Sequence, residues 1–76
     1  MQRWKKQIEA DLAAPLDRGA LEIAVDVPAR RAGSARRRMA WTAEYLRPHG
    51  YVFDVFDPSP SRATRRFGIA HFRRAS

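Results

Sequence analysis

The sequence predicts an α+β fold with the order helix, strand, helix, strand, strand, in which a three-stranded mixed sheet carries both helices on one face. Two segments repeat apolar residues at helical spacing, and three shorter segments alternate apolar with polar residues. Proline and glycine separate these segments. The length of 76 residues allows one domain, residues 1–76, with a single modest core.

The first helix is predicted over residues 2–14. Three apolar residues recur there every four positions and form a narrow stripe: Trp4, Ile8 and Leu12. Pro15 should end the helix, because the residue before a proline avoids helical backbone angles. The following segment, ALEIAVDVP at residues 20–28, alternates like a half-buried strand.

The second helix is predicted over residues 29–47, with Ser34 as a candidate N-cap and Pro48 just beyond its end. One arc of this helix should cover the sheet: Ala32, Ala35, Met39, Thr42, Ala43 and Leu46.

Two further strands are predicted at residues 51–56 and 65–72, joined by the proline- and serine-rich loop 57–64. The strand–helix–strand unit should be a right-handed crossover between parallel strands, and the last two strands should form an antiparallel hairpin. The hairpin also allows the third strand to lie between the other two.

The sheet face away from the helices should be open. Strict alternation turns Phe67, Ile69 and His71 toward the helices. It places the following residues on the open face: Glu22, Ala24, Asp26, Val52, Asp54, Phe56, Arg66, Gly68, Ala70 and Phe72. Large exposed apolar groups favour a partner. Phe56 and Phe72 are therefore candidate contacts for a second copy, another protein or nucleic-acid bases.

The formal net charge is +7, with 15 basic and 8 acidic residues, and 13 of the basic residues are arginine. Arginine forms bidentate contacts with phosphate and carboxylate and stacks on flat rings, so this composition favours nucleic acid or an acidic protein as partner. Codon usage in a GC-rich genome is an alternative source of the arginine excess. It explains the net charge less well, since such genomes also encode Asp and Glu freely.

The first candidate binding cluster lies on the second helix and comprises Arg36, Arg37, Arg38, Trp41 and Tyr45. Spacings of three and four residues bring Arg37 and Arg38 into reach of the indole. Such a surface suits phosphates and bases, or a protein interface in which Trp, Tyr and Arg are the anchors.

The second candidate cluster comprises Arg62, Arg65 and Arg66 in and beside the long loop, where they suit a phosphate backbone. Each cluster has a structural alternative. Trp41 can instead pack against the first helix at Trp4 or Ile8. The loop arginines can instead prevent an exposed strand edge from pairing with another chain.

Catalysis has no comparable signal. The chain has no cysteine, which excludes a disulfide scaffold and a thiolate metal site, and its two histidines are isolated. No nucleophile–base–acid set and no glycine-rich phosphate loop is present. We therefore expect a non-catalytic protein without metal or cofactor. No apolar run reaches the ~18–20 residues that span a bilayer, so a cytoplasmic location is expected, with no membrane partner.

In size, composition and lack of cysteine, the chain resembles the small proteins of phages and mobile elements, including anti-CRISPR proteins. The resemblance implies an inhibitor that covers a surface of a host nucleic-acid complex. Many such proteins are acidic DNA mimics, and the charge of +7 implies instead an acidic protein surface or a nucleic-acid path as target. The sequence thus predicts a protein that binds nucleic acid or a nucleoprotein complex such as a CRISPR effector. Homodimerisation through the open sheet face is the alternative.

Overall fold

The computed structural model describes residues 2–75, in which two helices pack on one face of a three-stranded sheet. The elements follow in the order α1 (Arg3–Asp17), β1 (Glu22–Pro28), α2 (Ala32–Leu46), a short 3-10 turn (Arg47–His49), β2 (Tyr51–Asp57) and β3 (Arg66–Arg74). The predicted α+β class and element order are confirmed.

The strand order is β1-β3-β2, and β3 pairs antiparallel with both neighbours. This is the arrangement in which the hairpin returns the third strand between the other two. The expected mixed pairing is thereby corrected, because β1 and β2 run in the same direction but are separated by β3. At nine residues β3 is the longest strand, so its central position gives the other two strands a full-length hydrogen-bonding partner.

Helix α1 continues through Pro15, beyond its predicted end. At this position the proline removes one helical hydrogen bond, and the packing of half-buried Leu16 on the core offsets that loss. The helix ends in a Schellman turn. The amide of Ala20 donates to the carbonyl of Pro15, the amide of Gly19 donates to that of Leu16, and Gly19 has a φ of +63°.

Helix α2 begins at Ala32 with Arg31 in the N-cap position, later than the predicted start at residue 29. Ser34 is not the N-cap but lies in the first turn, where its hydroxyl accepts a hydrogen bond of 3.4 Å from Arg37 Nη2. The side chain of Arg31 makes no capping hydrogen bond. The first amides of α2 are thus left without a side-chain acceptor from the N-cap residue.

The hydrophobic core lies between the helices and one face of the sheet. Each element contributes fully buried side chains: Ile8 and Leu12 from α1, Ile23, Val25 and Val27 from β1, Ala35 and Leu46 from α2, Tyr51 from β2, and Ala70 and Phe72 from β3. Thr42 is also buried, and its hydroxyl donates to the carbonyl of Arg38 at 2.7 Å. The sequence assigned the core faces of both helices and of β1 correctly, except that Ala32 at the start of α2 is exposed.

The faces of β3 were assigned the wrong way round. Phe72 pairs with Ile23 and Phe53 and is 1% exposed, so it belongs to the core and cannot serve as an open-face contact. Apolar residues stand on both faces of this strand, so alternation alone could not decide between them. The helices cover the face that carries Gly68 and Ala70, where small residues leave room for the packing layer.

A bulge in β2 reverses the alternation that the sequence predicted for this strand. Phe53 pairs with Phe72 and Val55 pairs with His71, which leaves Asp54 unpaired between them. Phe56 therefore turns to the helix side, where it is half-buried opposite Ala70. The prediction that it faces a partner on the open side is wrong. Val55, 52% exposed, lies there instead.

Candidate nucleic-acid interface

A groove lies beside the start of α2. It consists of three depressions that share lining residues: the first two share Ala29, Arg30 and Arg65, and the last two share Trp4 and Arg38. We call the combined feature the basic groove. Nine of the 15 basic residues of the chain line it: Arg3, Lys5, Arg30, Arg31, Arg37, Arg38, Arg62, Arg65 and Arg66.

No aspartate or glutamate lines the basic groove within residues 2–75. Of its nine cations, Arg66 alone forms a salt bridge in that part of the chain, 3.6 Å from Asp26. Arg66 also donates to the carbonyl of Ser59 at 2.7 Å, so its guanidinium is largely engaged in holding the loop. Arg38 is engaged as well, through a hydrogen bond to the carbonyl of Pro28. The exposed arginines of the groove form no salt bridge within residues 2–75 and are available to an external anion.

The loop between β2 and β3 presents Arg62 and Arg65 to the groove through a tight turn. Ser61 and Arg66 exchange two backbone hydrogen bonds of 2.9 Å, which closes the turn at its base. Arg65 has a φ of +55°, a left-handed conformation that is uncommon for a residue with a side chain. The turn holds Arg65 where the first two depressions meet.

The β1–α2 connection supplies Arg30 and Arg31 at the centre of the groove. Both residues are exposed and directly precede the first helical residue of α2. The positive end of the helix dipole and its free amides therefore add to the potential of the two guanidinium groups. This part of the surface attracts anions through the backbone as well as through side chains.

Four aromatic rings form a ladder along the α1–α2 contact. Trp4 meets Trp41 edge-on with ring centroids 5.4 Å apart, Tyr45 stacks on Trp41 at 5.3 Å, and His49 follows Tyr45 at 5.9 Å. The Trp41 ring is half-buried and also lines the groove. The structural alternative, packing of Trp41 against Trp4, is thus present together with partial exposure.

Arg38 connects three parts of the groove wall. Its guanidinium donates to the carbonyl of Pro28 at the end of β1, and its Cζ atom lies 5.2 Å from the ring centre of Trp4 on α1. A cation over an indole face is attracted by the ring quadrupole. Lys5 lies similarly, 5.6 Å from the Trp4 ring and 5.7 Å from that of Trp41.

The structure brings most of the predicted site residues together. Arg37, Arg38 and Trp41 line one end of the groove, and Arg62, Arg65 and Arg66 line the other. Two predicted residues are not in its lining. Tyr45 is half-buried behind Trp41, and Arg36 lies roughly 140° from Trp41 around a helix that turns by about 100° per residue.

Sequence reasoning missed the part of the groove that joins the two predicted clusters. Arg3 and Lys5 flank Trp4 in α1, while Arg30 and Arg31 lie between β1 and α2. The pair at residues 30–31 could have been found from the sequence. Two adjacent arginines between a strand and a helix lie next to the free amides at the start of that helix. The α1 residues carried none, since their place depends on how α1 docks.

Two carboxylates, on α1 and β1, lie close enough to influence each other. Asp11 on α1 lies near Asp26 on β1, and partial burial together with the negative charge of Asp26 raises the pKa of Asp11. Crowding two acids in one region is unfavourable. Asp26 is also the salt-bridge partner of the groove residue Arg66, at 3.6 Å.

The two larger depressions have volumes of about 640 and 560 Å³, within the range of ligand pockets. Apolar and aromatic side chains usually dominate such pockets, whereas arginine dominates here.

Comparison with protein-family models, curated proteins and solved structures found no match. No helix within residues 2–75 has the length and apolar character needed to cross a bilayer.

Proposed function

We propose that this protein is a non-catalytic binding protein that holds nucleic acid, free or within a nucleoprotein complex, in the basic groove. The observation that carries the proposal is a groove lined by nine cations and, within residues 2–75, by no carboxylate. Eight of the nine are arginines, whose planar guanidinium groups match phosphate oxygens in bidentate contacts.

The shape of the groove favours a linear polyanion over a single small anion. Its lining residues come from α1, the β1–α2 connection, α2 and the β2–β3 loop, so the cations are spread over three adjoining depressions. A phosphate backbone presents evenly spaced charges that cations spread in this way can meet at several points. Each phosphate that is neutralised releases counterions, and this release is the main source of affinity.

Salt titration with a matched pair of variants tests the proposal. Arg37 and Arg36 are adjacent and exposed on α2, but only Arg37 lines the groove. In fluorescence anisotropy with a short DNA duplex at about 50 to 200 mM salt, we expect log K to fall linearly with log salt, by about 0.9 for each phosphate neutralised. We expect Arg37→Glu to weaken binding about tenfold and to reduce the slope by about 1.

Arg36→Glu is the control, because it makes the same change in net charge outside the groove. Its effect should be less than about threefold at physiological salt, where screening limits the reach of an exposed charge to roughly 8 Å. Equal losses in the two variants would show that net charge, not the groove, attracts the ligand. Absence of binding to any nucleic acid at low salt would refute direct binding.

An inhibitor of the anti-CRISPR type, acting by protein contact on a CRISPR effector, is the alternative carried over from the sequence. Protein interfaces depend on a desolvated centre and a salt-sensitive rim, so such a complex should persist at moderate salt. Salt-resistant binding to a nucleoprotein complex, without binding to its free nucleic acid, would favour this alternative.

A second candidate function is assembly through the open sheet face. The residues first proposed for it, Phe56 and Phe72, are not on that face. Val52 and Val55 of β2 are 39% and 52% exposed, and Val55 aligns through His71 with the exposed Ala24 of β1. The two exposed valines of β2 are the specific observation that supports self-association.

A further inference from the structure

The aromatic rings of the basic groove indicate which form of nucleic acid it holds. Two of its lining residues within the described chain are aromatic, Trp4 and Trp41. The Trp4 ring has Arg38, Trp41 and Lys5 at 5.2, 5.4 and 5.6 Å from its centre. The Trp41 ring has Tyr45, Trp4 and Lys5 at 5.3, 5.4 and 5.7 Å. Both indoles are therefore already surrounded.

This arrangement removes the main advantage of single-stranded ligands. Proteins that hold single strands stack unpaired bases on open aromatic faces, and each stacked base contributes about 1–3 kcal/mol. In the groove the indoles are half-buried, and cations and other rings occupy the positions that bases would need. A base stacking on either indole would have to displace Lys5, Arg38 or a neighbouring ring.

The cations of the groove remain accessible. Arg30, Arg31 and Arg65 are exposed, and none of them forms a salt bridge with a carboxylate of residues 2–75. Duplex DNA carries one charge per roughly 1.7 Å of axis, about twice the density of one strand. Its counterion release per contact is also larger, with a slope of about −0.9 against −0.7 for single strands. A groove that offers accessible cations but no open aromatic face for base stacking therefore favours the duplex.

We propose that the groove binds the sugar–phosphate backbone of double-stranded nucleic acid and does not stack unpaired bases. This inference rests on the proposed function. The largest extent of the molecule is 33 Å, and one turn of duplex is about 34–36 Å long, so one copy covers at most about one turn.

The test compares the same sequence in different strand states. Labelled DNA duplex, RNA duplex and the corresponding single strands, each about one and a half turns long, are titrated at about 100 mM salt. We expect at least one duplex to bind about tenfold tighter than its own single strands, and the DNA and RNA arms identify the preferred backbone. Tryptophan emission is followed in parallel, since a base stacked on an indole quenches it.

Arg30→Glu should weaken duplex binding about tenfold, with Arg36→Glu again as the control of equal charge change. Tighter binding of single strands, accompanied by tryptophan quenching, would overturn this inference while leaving the proposed function intact. Binding to none of the nucleic acids, or equal binding to poly-glutamate or anionic vesicles, would overturn both.

Discussion

Gly68 lies where the central strand β3 packs closely against the end of β2. A Cβ atom built at this position would lie 2.7 Å from the backbone oxygen of Asp57 and would overlap the Phe56 ring. This oxygen belongs to the backbone at the end of β2 and accepts a hydrogen bond of 2.8 Å from the Ser59 amide, so it has little freedom to move. Glycine is therefore required here for close packing, although its φ is not in the left-handed region.

We expect Gly68→Ala to lower the free energy of unfolding by about 1–3 kcal/mol, because the added methyl overpacks the strand contact. Gly33→Ala is the matched control. Its Cβ would meet only the Arg37 Nη1 atom at 3.9 Å, within a helix where alanine is about 0.5–1 kcal/mol more favourable than glycine. Urea denaturation followed by circular dichroism measures both. Equal midpoints for the two variants would contradict the packing assignment.

At the scale of elements, the turn that closes the β2–β3 loop holds one arginine of the groove in a strained backbone conformation. Arg65 adopts a left-handed backbone at the meeting point of two depressions. A side chain in this conformation costs on the order of 1 kcal/mol or more. Backbone strain at a solvent-exposed arginine brings no packing benefit. It is consistent with a role for Arg65 in contacting the anion that the proposed function places in the groove.

Arg65→Asn tests this trade between stability and binding, since asparagine adopts the left-handed conformation more readily. We expect its free energy of unfolding to equal or exceed that of the wild type by up to about 1 kcal/mol, and its affinity for duplex to fall. Arg62→Asn removes the same charge from the same loop without a positive φ. It should lose affinity and gain no stability. An Arg65→Asn protein less stable than Arg62→Asn would contradict the assignment.

The elements also show how far the sequence could predict the fold. Apolar residues at helical spacing located the two helices, and they include the buried Ile8, Leu12 and Leu46. Alternation of apolar and polar residues located the three strands. The bulge at Asp54 could not be predicted, since it depends on the pairing with β3. Helix α1 crosses Pro15 because Leu16 packs on the core, which is a tertiary effect.

The candidate site, too, was predictable only where it depends on local sequence spacing. Arg37, Arg38 and Trp41 are neighbours through helix geometry alone, so their grouping follows from spacing. The junction with the loop arginines depends on how the β1–α2 connection and the β2–β3 loop meet. Arg30 and Arg65 lie 35 positions apart in the sequence and share two depressions, which no local pattern indicates.

At the scale of the whole molecule, two surfaces of different character coexist. The basic groove concentrates positive charge, while the open sheet face carries the exposed Val55 among polar neighbours. With a formal net charge of +7, copies of the protein repel one another at low ionic strength. Salt weakens this repulsion and should also weaken nucleic-acid binding, so the two candidate functions respond to salt in opposite directions.

Self-association through the open face should therefore increase with salt. We expect sedimentation velocity to show a monomer at about 50 mM salt and a growing dimer fraction toward 1 M, as the Debye length falls to about 3 Å. Val55→Asp should remain monomeric, because it replaces an exposed apolar side chain of that face with a charge. Dimerisation of this variant like the wild type, or a wild type that stays monomeric throughout, would exclude assembly through this face.

The walls of the basic groove come from three stretches of chain, at residues 2–7, 28–41 and 60–66, that meet only once the protein has folded. Detachment of α1 would remove Arg3 and Trp4 and release the contact that fixes Arg38. A polyanion bound in the groove, as proposed, would therefore hold the first helix in place. In a domain this small, whose own core is modest, such an occupant would become part of what keeps the chain folded.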